Sequence, residues 1–142
     1  MLISIALCVN CIIIISVSNF SGQENQSCRL IKVCEFLIDC GWHKAAGELL
    51  HHLYQTMNPL AERHSVLVVL THLISTNIAE CKFTQAKEAF VKASTFYDTL
   101  KDRRFNAGLL YAEESYRHYC LSNFSEADDW ADRALLEVCL FI

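Results

Sequence analysis

The sequence has few residues that interrupt helices and no concentration of positive charge. Its 142 residues include one proline and four glycines. So few breakers favour helices over many short strands joined by turns. Twelve basic residues stand against sixteen acidic ones, which gives a net charge of −4. Because nucleic-acid binding needs clustered lysine and arginine, this balance excludes nucleic acid as an expected partner.

Motifs for catalysis and for metal binding are also lacking. The sequence contains no Gly-rich phosphate loop, no Gly-x-Ser-x-Gly elbow and no His-Glu-x-x-His. The single histidines have no acidic or cysteine partner at ligand spacing, and Cys8 and Cys11 have no second pair at zinc-site spacing. We therefore expect no catalytic residue, no metal site and no cofactor, and we predict that the protein is not an enzyme.

The first 18 residues, MLISIALCVNCIIIISVS, form an apolar run unlike the rest of the chain. A signal peptide has a basic start and a small-residue cleavage site, yet no lysine or arginine precedes Arg29. As a transmembrane helix the run is at the short limit. Two interpretations stay open for residues 1–26: a signal or anchor, with membrane contact only through 1–18, or a start that is non-native or truncated.

Three later segments share a pattern at equal spacing. Each has an aromatic residue, and the spacings are 83 − 42 = 41 and 124 − 83 = 41 residues. An alanine follows each aromatic by three positions, an apolar residue follows by seven, and the residues that follow by ten are His52, Ala93 and Ala134. On a helix that turns about 100° per residue, residues at these offsets lie on one face. The small side chains on that face allow a neighbouring helix to pack closely. The residues expected to define this structural repeat are Trp42, Ala45, Phe83, Ala86, Phe90, Phe124, Ala127 and Ala131.

Each of these predicted helices follows another apolar-periodic stretch, at 28–40, 64–80 and 106–121. Three helix pairs, one after another, predict an all-α fold over residues 27–142. Pairs stacked in one direction form a right-handed solenoid rather than a bundle closed around one core. The apolar end LLEVCLFI would leave Val138 and Leu140 exposed, which favours either a further repeat in a longer array or self-association through this edge.

The pattern around Gly41, Trp42 and Ala45 resembles the second helix of the tetratricopeptide repeat. That repeat has a period of about 34 residues, so the spacing here implies longer helices or turns. The resemblance implies a non-enzymatic adaptor that binds a peptide segment of another protein in a groove lined by the first helix of each pair. Carried over by register, the groove positions are Thr71, Ser75, Asn106, Tyr116, Arg117 and Tyr119.

Three phrases extend the resemblance: FLIDCGWHKAAGELL, CKFTQAKEAFVKASTFYDTLKD and SNFSEADDWADRALLEV. They are similar to an internal portion of the amyloid protein-binding protein 2 family, over roughly residues 28–139. This resemblance implies a cytoplasmic adaptor linked to amyloid precursor trafficking, to microtubules and to substrate recognition by a cullin-2 ubiquitin ligase, whose components would be partners. The alternative is a secreted or membrane-anchored helical protein whose leader is real and whose cysteines pair.

Overall fold

The computed structural model describes residues 23–100 and 105–141, so the predicted leader, residues 1–26, lies outside the described residues except for 23–26. The described residues form helices and contain no strand, which confirms the predicted all-α class. None of the described helices has the length and apolar character needed to cross a membrane. The helices are α1 (Gln23–Asp39), α2 (His43–Thr56), α3 (Arg63–Ala79), α4 (Phe83–Leu100), α5 (Ala107–Cys120) and α6 (Phe124–Phe141).

The helices pack in sequence order, each against the next one along the chain. In addition, α1 contacts α3, and α3 contacts α5. Within the described part of the chain, the backbones of the even-numbered helices α2, α4 and α6 lie farther from one another than those of adjacent helices, and only side chains bridge them. The odd-numbered helices therefore lie side by side, and each even-numbered helix packs against its odd-numbered neighbours.

The turns from odd-numbered to even-numbered helices are built in the same way. Each has one residue in the left-handed region: Gly41 at φ 80°, Cys81 at φ 59° and Ser122 at φ 62°. The next residue donates its N–H to the carbonyl five positions earlier, at 2.8 Å from Trp42, 2.7 Å from Lys82 and 2.9 Å from Asn123. A second bond from each left-handed residue completes the Schellman motif that commonly ends helices. Three copies of one motif show that the described helices form three equivalent pairs.

These turns correct the predicted register of the first pair. The left-handed residues are 81 − 41 = 40 and 122 − 81 = 41 positions apart, so the first spacing is one residue shorter than the sequence suggested. Trp42 is therefore the residue before α2, 38% exposed, and does not open the helix as Phe83 and Phe124 do. His43 occupies the equivalent position in α2.

The same correction moves the predicted alanine by one position. Ala46 takes the position of Ala86 and Ala127, and all three are buried, whereas Ala45 is only half-buried. In the first pair, Ala45 lies three residues after Trp42 and Ala46 lies three residues after His43. The sequence pattern alone therefore did not distinguish the two registers. Of the remaining predicted repeat positions, Phe90 is buried and Ala131 is half-buried.

The hydrophobic core is centred on α3, which carries apolar side chains around most of its circumference. Its buried residues face α1, α2, α4 and α5, the four helices that it contacts. The interior also takes one large side chain from each of several neighbouring helices. The fully buried large side chains include Leu37, Leu50, Leu67, Leu70, Ile74 and Leu110.

Phe124 does not lie in the core, contrary to the prediction. Its side chain is 57% exposed, and its ring contacts the edge of Tyr119 at 5.6 Å between centroids. The equivalent Phe83 is partly buried because α5 follows α4 and covers that face. Within the described residues no helix covers the corresponding face of α6, where Leu135, on the same side as Phe124, is 64% exposed.

Candidate functional site

The odd-numbered helices present a common exposed stripe. From the turn motifs, Glu35 in α1, Ser75 in α3 and Tyr116 in α5 are equivalent residues, each six positions before the left-handed residue. One helical turn earlier, Lys32, His72 and Glu113 are equivalent in the same sense. All six side chains reach solvent at least in part. We refer to this set, Lys32, Glu35, His72, Ser75, Glu113 and Tyr116, as the odd-helix surface.

One ion pair crosses the odd-helix surface. His72 Nε2 lies 3.1 Å from Glu35 Oε1, which joins α3 to α1 when the imidazole is protonated. Both side chains are partly exposed, at 27% and 47%, so water screens this contact. The pair fixes a polar position between two neighbouring helices and leaves hydrogen-bonding capacity toward solvent.

Two of the six predicted groove residues belong to this surface. Ser75 and Tyr116 occupy equivalent positions, since 116 − 75 = 41. Tyr116 is 54% exposed, and its ring lies nearly parallel to that of Tyr119, with centroids 6.5 Å apart. A hydrogen bond with the Cys120 thiol raises the pKa of the Tyr116 phenol, so the hydroxyl is neutral at physiological pH and can donate.

Tyr119 is 60% exposed but lies toward the start of α6 rather than on the stripe itself. Its equivalents, Ile38 and Ile78, pack into the interior, where the next pair covers them. The two tyrosines therefore form one exposed aromatic pair at the edge of the odd-helix surface. Two tyrosine rings with solvent-exposed hydroxyl groups can provide a ligand with both apolar contact area and hydrogen bonds.

The other three predicted groove residues have structural roles. Thr71 is buried and donates its hydroxyl to the carbonyl of Leu67 at 2.8 Å. Asn106 caps α5, because its side-chain oxygen accepts a hydrogen bond from the N–H of Gly108 at 2.9 Å. Arg117 is also buried, which is unusual for an arginine without a charged partner.

The partner of Arg117 is Glu114, one helical turn away, and sequence reasoning missed it. The guanidinium donates to both carboxylate oxygens, from Nε at 2.9 Å and from Nη2 at 2.6 Å. The two side chains are 8% and 4% exposed. His118 Nε2 lies 3.2 Å from the same carboxylate. The spacing of Glu114 and Arg117 could have suggested the pair, but nothing in the sequence marks it as buried.

Burial also affects Glu113, on the exposed side of α5. Desolvation raises the pKa of its carboxyl from 4.5 to about 6. The charge of the Glu113 carboxyl therefore changes just below neutral pH. Protonation would convert it from an acceptor into a donor.

Grooves run between the even-numbered helices on the other side of α3. Between α4 and α6 the indole of Trp130 lines the groove, packing on Phe90 at 5.1 Å and on Tyr111 at 5.5 Å between ring centroids, and a space of about 360 Å³ remains beside it. Arg133 lies over the same indole at 4.5 Å. The residue equivalent to Trp130 in α4 is Ala89, and the groove between α2 and α4 stays open, with a volume of about 320 Å³ above Leu70 and Ala89.

The described residues hold no cluster of three or more His, Cys, Asp or Glu side chains placed to bind a metal ion. The six cysteines in the described ranges are free thiols, and Cys8 and Cys11 lie outside those ranges. Burial raises the pKa of the Cys34 thiol to about 12, which makes it a poor nucleophile. No family model, curated protein or solved structure matches this chain.

Proposed function

We propose that the protein is a non-enzymatic adaptor of tetratricopeptide type that binds a peptide segment of a partner protein on the odd-helix surface. The observation that carries the proposal is the equivalence of this surface from pair to pair. Three helices of the same kind lie side by side, and each contributes polar or aromatic side chains at the same two helical positions. Repetition of this kind creates the extended binding surface that helical-repeat proteins use.

The chemistry of the surface suits an extended peptide. Lys32, Glu35 and His72 offer charged and hydrogen-bonding groups toward α1, while Tyr116 offers aromatic area toward α5. An extended segment keeps its own N–H and C=O groups free and needs such partners along its length. The mixture of charges on the surface favours a peptide that carries both signs.

The right-handed solenoid and the wider cellular role are part of the same proposal. The resemblance to the amyloid protein-binding protein 2 family supports trafficking of the amyloid precursor, microtubule association and substrate recognition for a cullin-2 ubiquitin ligase as the processes in which the adaptor acts. On that basis the partners would be cargo proteins and cullin-2 ligase components, and the location would be the cytoplasm. The secreted or membrane-anchored alternative depends on residues 1–18.

The proposal can be tested with peptides selected by display against the full chain. We expect Tyr116→Ala to weaken a selected peptide by about tenfold, since an exposed aromatic anchor contributes about 1–2 kcal/mol. The matched control is Leu136→Ala, a comparably exposed apolar residue on the even-numbered helix α6. Fluorescence anisotropy with labelled peptides measures both variants. Equal binding by Tyr116→Ala and the parent, with loss in the control, would contradict the proposed surface.

A further inference from the structure

A second surface of the molecule is apolar and lies between α2 and α4. It continues the open groove toward the turn that joins α2 to α3, and it has a volume of about 440 Å³. Leu60 and Val91 on its rim are 73% and 52% exposed. We call it the apolar groove; its lining includes Tyr54, Leu60, Val66, Val91, Phe96 and Leu100.

The apolar groove offers almost no hydrogen bonds to an occupant. The hydroxyls of Thr95 and Thr99 donate to carbonyls of their own helix, each at 2.8 Å, so they turn methyl groups outward. An extended peptide would leave its backbone groups without partners here, whereas a helix satisfies its own. The occupant that fits is therefore an amphipathic helix.

One charge adjoins the apolar groove, and it is positive. Lys92 lies at the end nearer the start of α4, with its Nζ 5.8 Å from the ring of Tyr54. No carboxylate among the described residues pairs with it. The apolar residues Phe96 and Leu100 follow along α4, over eight residues or about 12 Å. A helix that fits the apolar groove would therefore carry a carboxylate opposite Lys92 and apolar side chains one to two turns further along its sequence.

Helix α6 has this pattern on a face that is largely exposed. Phe124, Asp128 and Leu135 lie within about 40° of one another around the helix. Phe124 and Leu135 are 57% and 64% exposed, and Asp128 is exposed as well. From Asp128 to Leu135 is seven residues, or about 10 Å, so the order and spacing match those from Lys92 to Leu100.

We propose that α6 of a second copy of this chain docks in the apolar groove. It lies parallel to α4, with Asp128 toward Lys92, Phe124 toward Val91, and Leu135 toward Phe96 and Leu100. The interface is heterologous, because groove and helix are different surfaces of the same molecule. Contacts of that type leave one free groove and one free helix at the ends, so association continues beyond two chains.

This interface is separate from the proposed peptide surface. Leu70, under the open groove, and His72, on the odd-helix surface, point about 160° apart around α3. Self-association and peptide binding can therefore succeed or fail independently.

Sedimentation velocity on the full chain tests the proposal. As concentration rises from the micromolar to the hundred-micromolar range, we expect the parent to form dimers and longer species. Val91→Glu blocks the groove and Leu135→Glu blocks the helix, so each variant alone should stay monomeric. Both positions are exposed in the single chain, so neither change should disturb folding, which circular dichroism checks. The matched control, Leu109→Glu, changes a 60% exposed residue on α5 and should associate like the parent.

A mixture of the two blocked variants gives the decisive result. The chain with Leu135→Glu keeps its groove, and the chain with Val91→Glu keeps its helix, so an equimolar mixture should form dimers and stop there. Lys92→Glu should weaken parent association by about fivefold or more, because it places two negative charges together. A monomeric parent at all concentrations would overturn the proposal. So would a mixture that stays monomeric, or a Val91→Glu variant that associates normally.

Discussion

At the scale of single residues, α5 depends on a buried pair of opposite charges. Glu114 and Arg117 satisfy each other through two hydrogen bonds while both are removed from water. Desolvation of two ions offsets much of their attraction, so such a pair adds little net stability but is costly to break. Removing one partner should therefore lower the free energy of unfolding much more than removing both.

We expect Arg117→Met to destabilise the fold by about 3–5 kcal/mol, because it removes the bidentate guanidinium and leaves the buried Glu114 carboxylate with only His118 beside it. The double variant Glu114→Leu with Arg117→Met should lie within about 1–2 kcal/mol of the parent. Urea denaturation followed by circular dichroism measures both. A double variant as unstable as the single one would mean that the pair has further partners.

Glu113 predicts a pH dependence of stability. Its folded-state pKa of about 6 lies above the ordinary value of 4.5, so the folded protein holds this proton more tightly than the unfolded chain. The contribution is fully present below about pH 4.5 and is lost as pH rises through 6. Glu113→Gln should therefore stabilise the fold at pH 7.5 by about 1–2 kcal/mol, and by much less at pH 4.5. Denaturation at the two pH values gives the difference; an equal effect at both would exclude burial as the cause.

The exposure of the aromatic residues predicts unequal costs for removing them. Phe90 is 8% exposed and packs against Trp130, so Phe90→Ala should cost about 3–5 kcal/mol. Phe124 is mostly in water, so Phe124→Ala should cost less than about 1.5 kcal/mol. Thermal melts compare the two. Similar losses would show that Phe124 is covered in solution, as it would be by a partner at high concentration.

At the scale of helices, the turns decide where each pair begins and ends. Gly41 adopts φ 80° without cost, while Cys81 and Ser122 adopt a similar conformation despite their side chains. Left-handed backbone costs a residue other than glycine about 1–2 kcal/mol. The three turns therefore store different amounts of strain in the same geometry.

Exchanging residues at these turns should move stability in opposite directions. Gly41→Ala should destabilise by about 1 kcal/mol, purely through backbone strain, because no atom lies within 4 Å of the added carbon. Ser122→Gly should stabilise by a few tenths to about 1 kcal/mol, since relief of strain exceeds the added freedom of the unfolded chain. Urea denaturation measures both changes. Destabilisation by Ser122→Gly would contradict the left-handed assignment.

Sequence patterns located the helices better than they located the site. Apolar periodicity and the scarcity of breakers predicted the all-α class and the six helical segments, because burial of one face leaves a visible period. The register of the first pair was missed by one residue, because Ala45 and Ala46 are both small. Phe124 was expected to be buried, but equivalent positions in successive helix pairs do not have the same neighbouring helices. Thr71 and Arg117 were placed in a groove because pattern alone does not distinguish the buried side of an odd-numbered helix from its exposed side.

At the scale of the whole molecule, α3 is the central element. It contacts four other helices and buries side chains along most of its length. In an array of stacked pairs, stability is lowest where neighbours are fewest. Amide hydrogen exchange should therefore be slowest in α3 and faster toward α1 and α6. Uniform protection across all helices would instead indicate a single cooperative core.

The central claim is that partner peptides bind on the odd-numbered helices. The most direct measurement is NMR chemical-shift mapping of a display-selected peptide on the isotopically labelled full chain. We expect saturable shifts at Glu35, His72, Ser75 and Tyr116, with little change at the even-numbered helices. Shifts concentrated instead at Val91 and Leu60, or on α6, would contradict it.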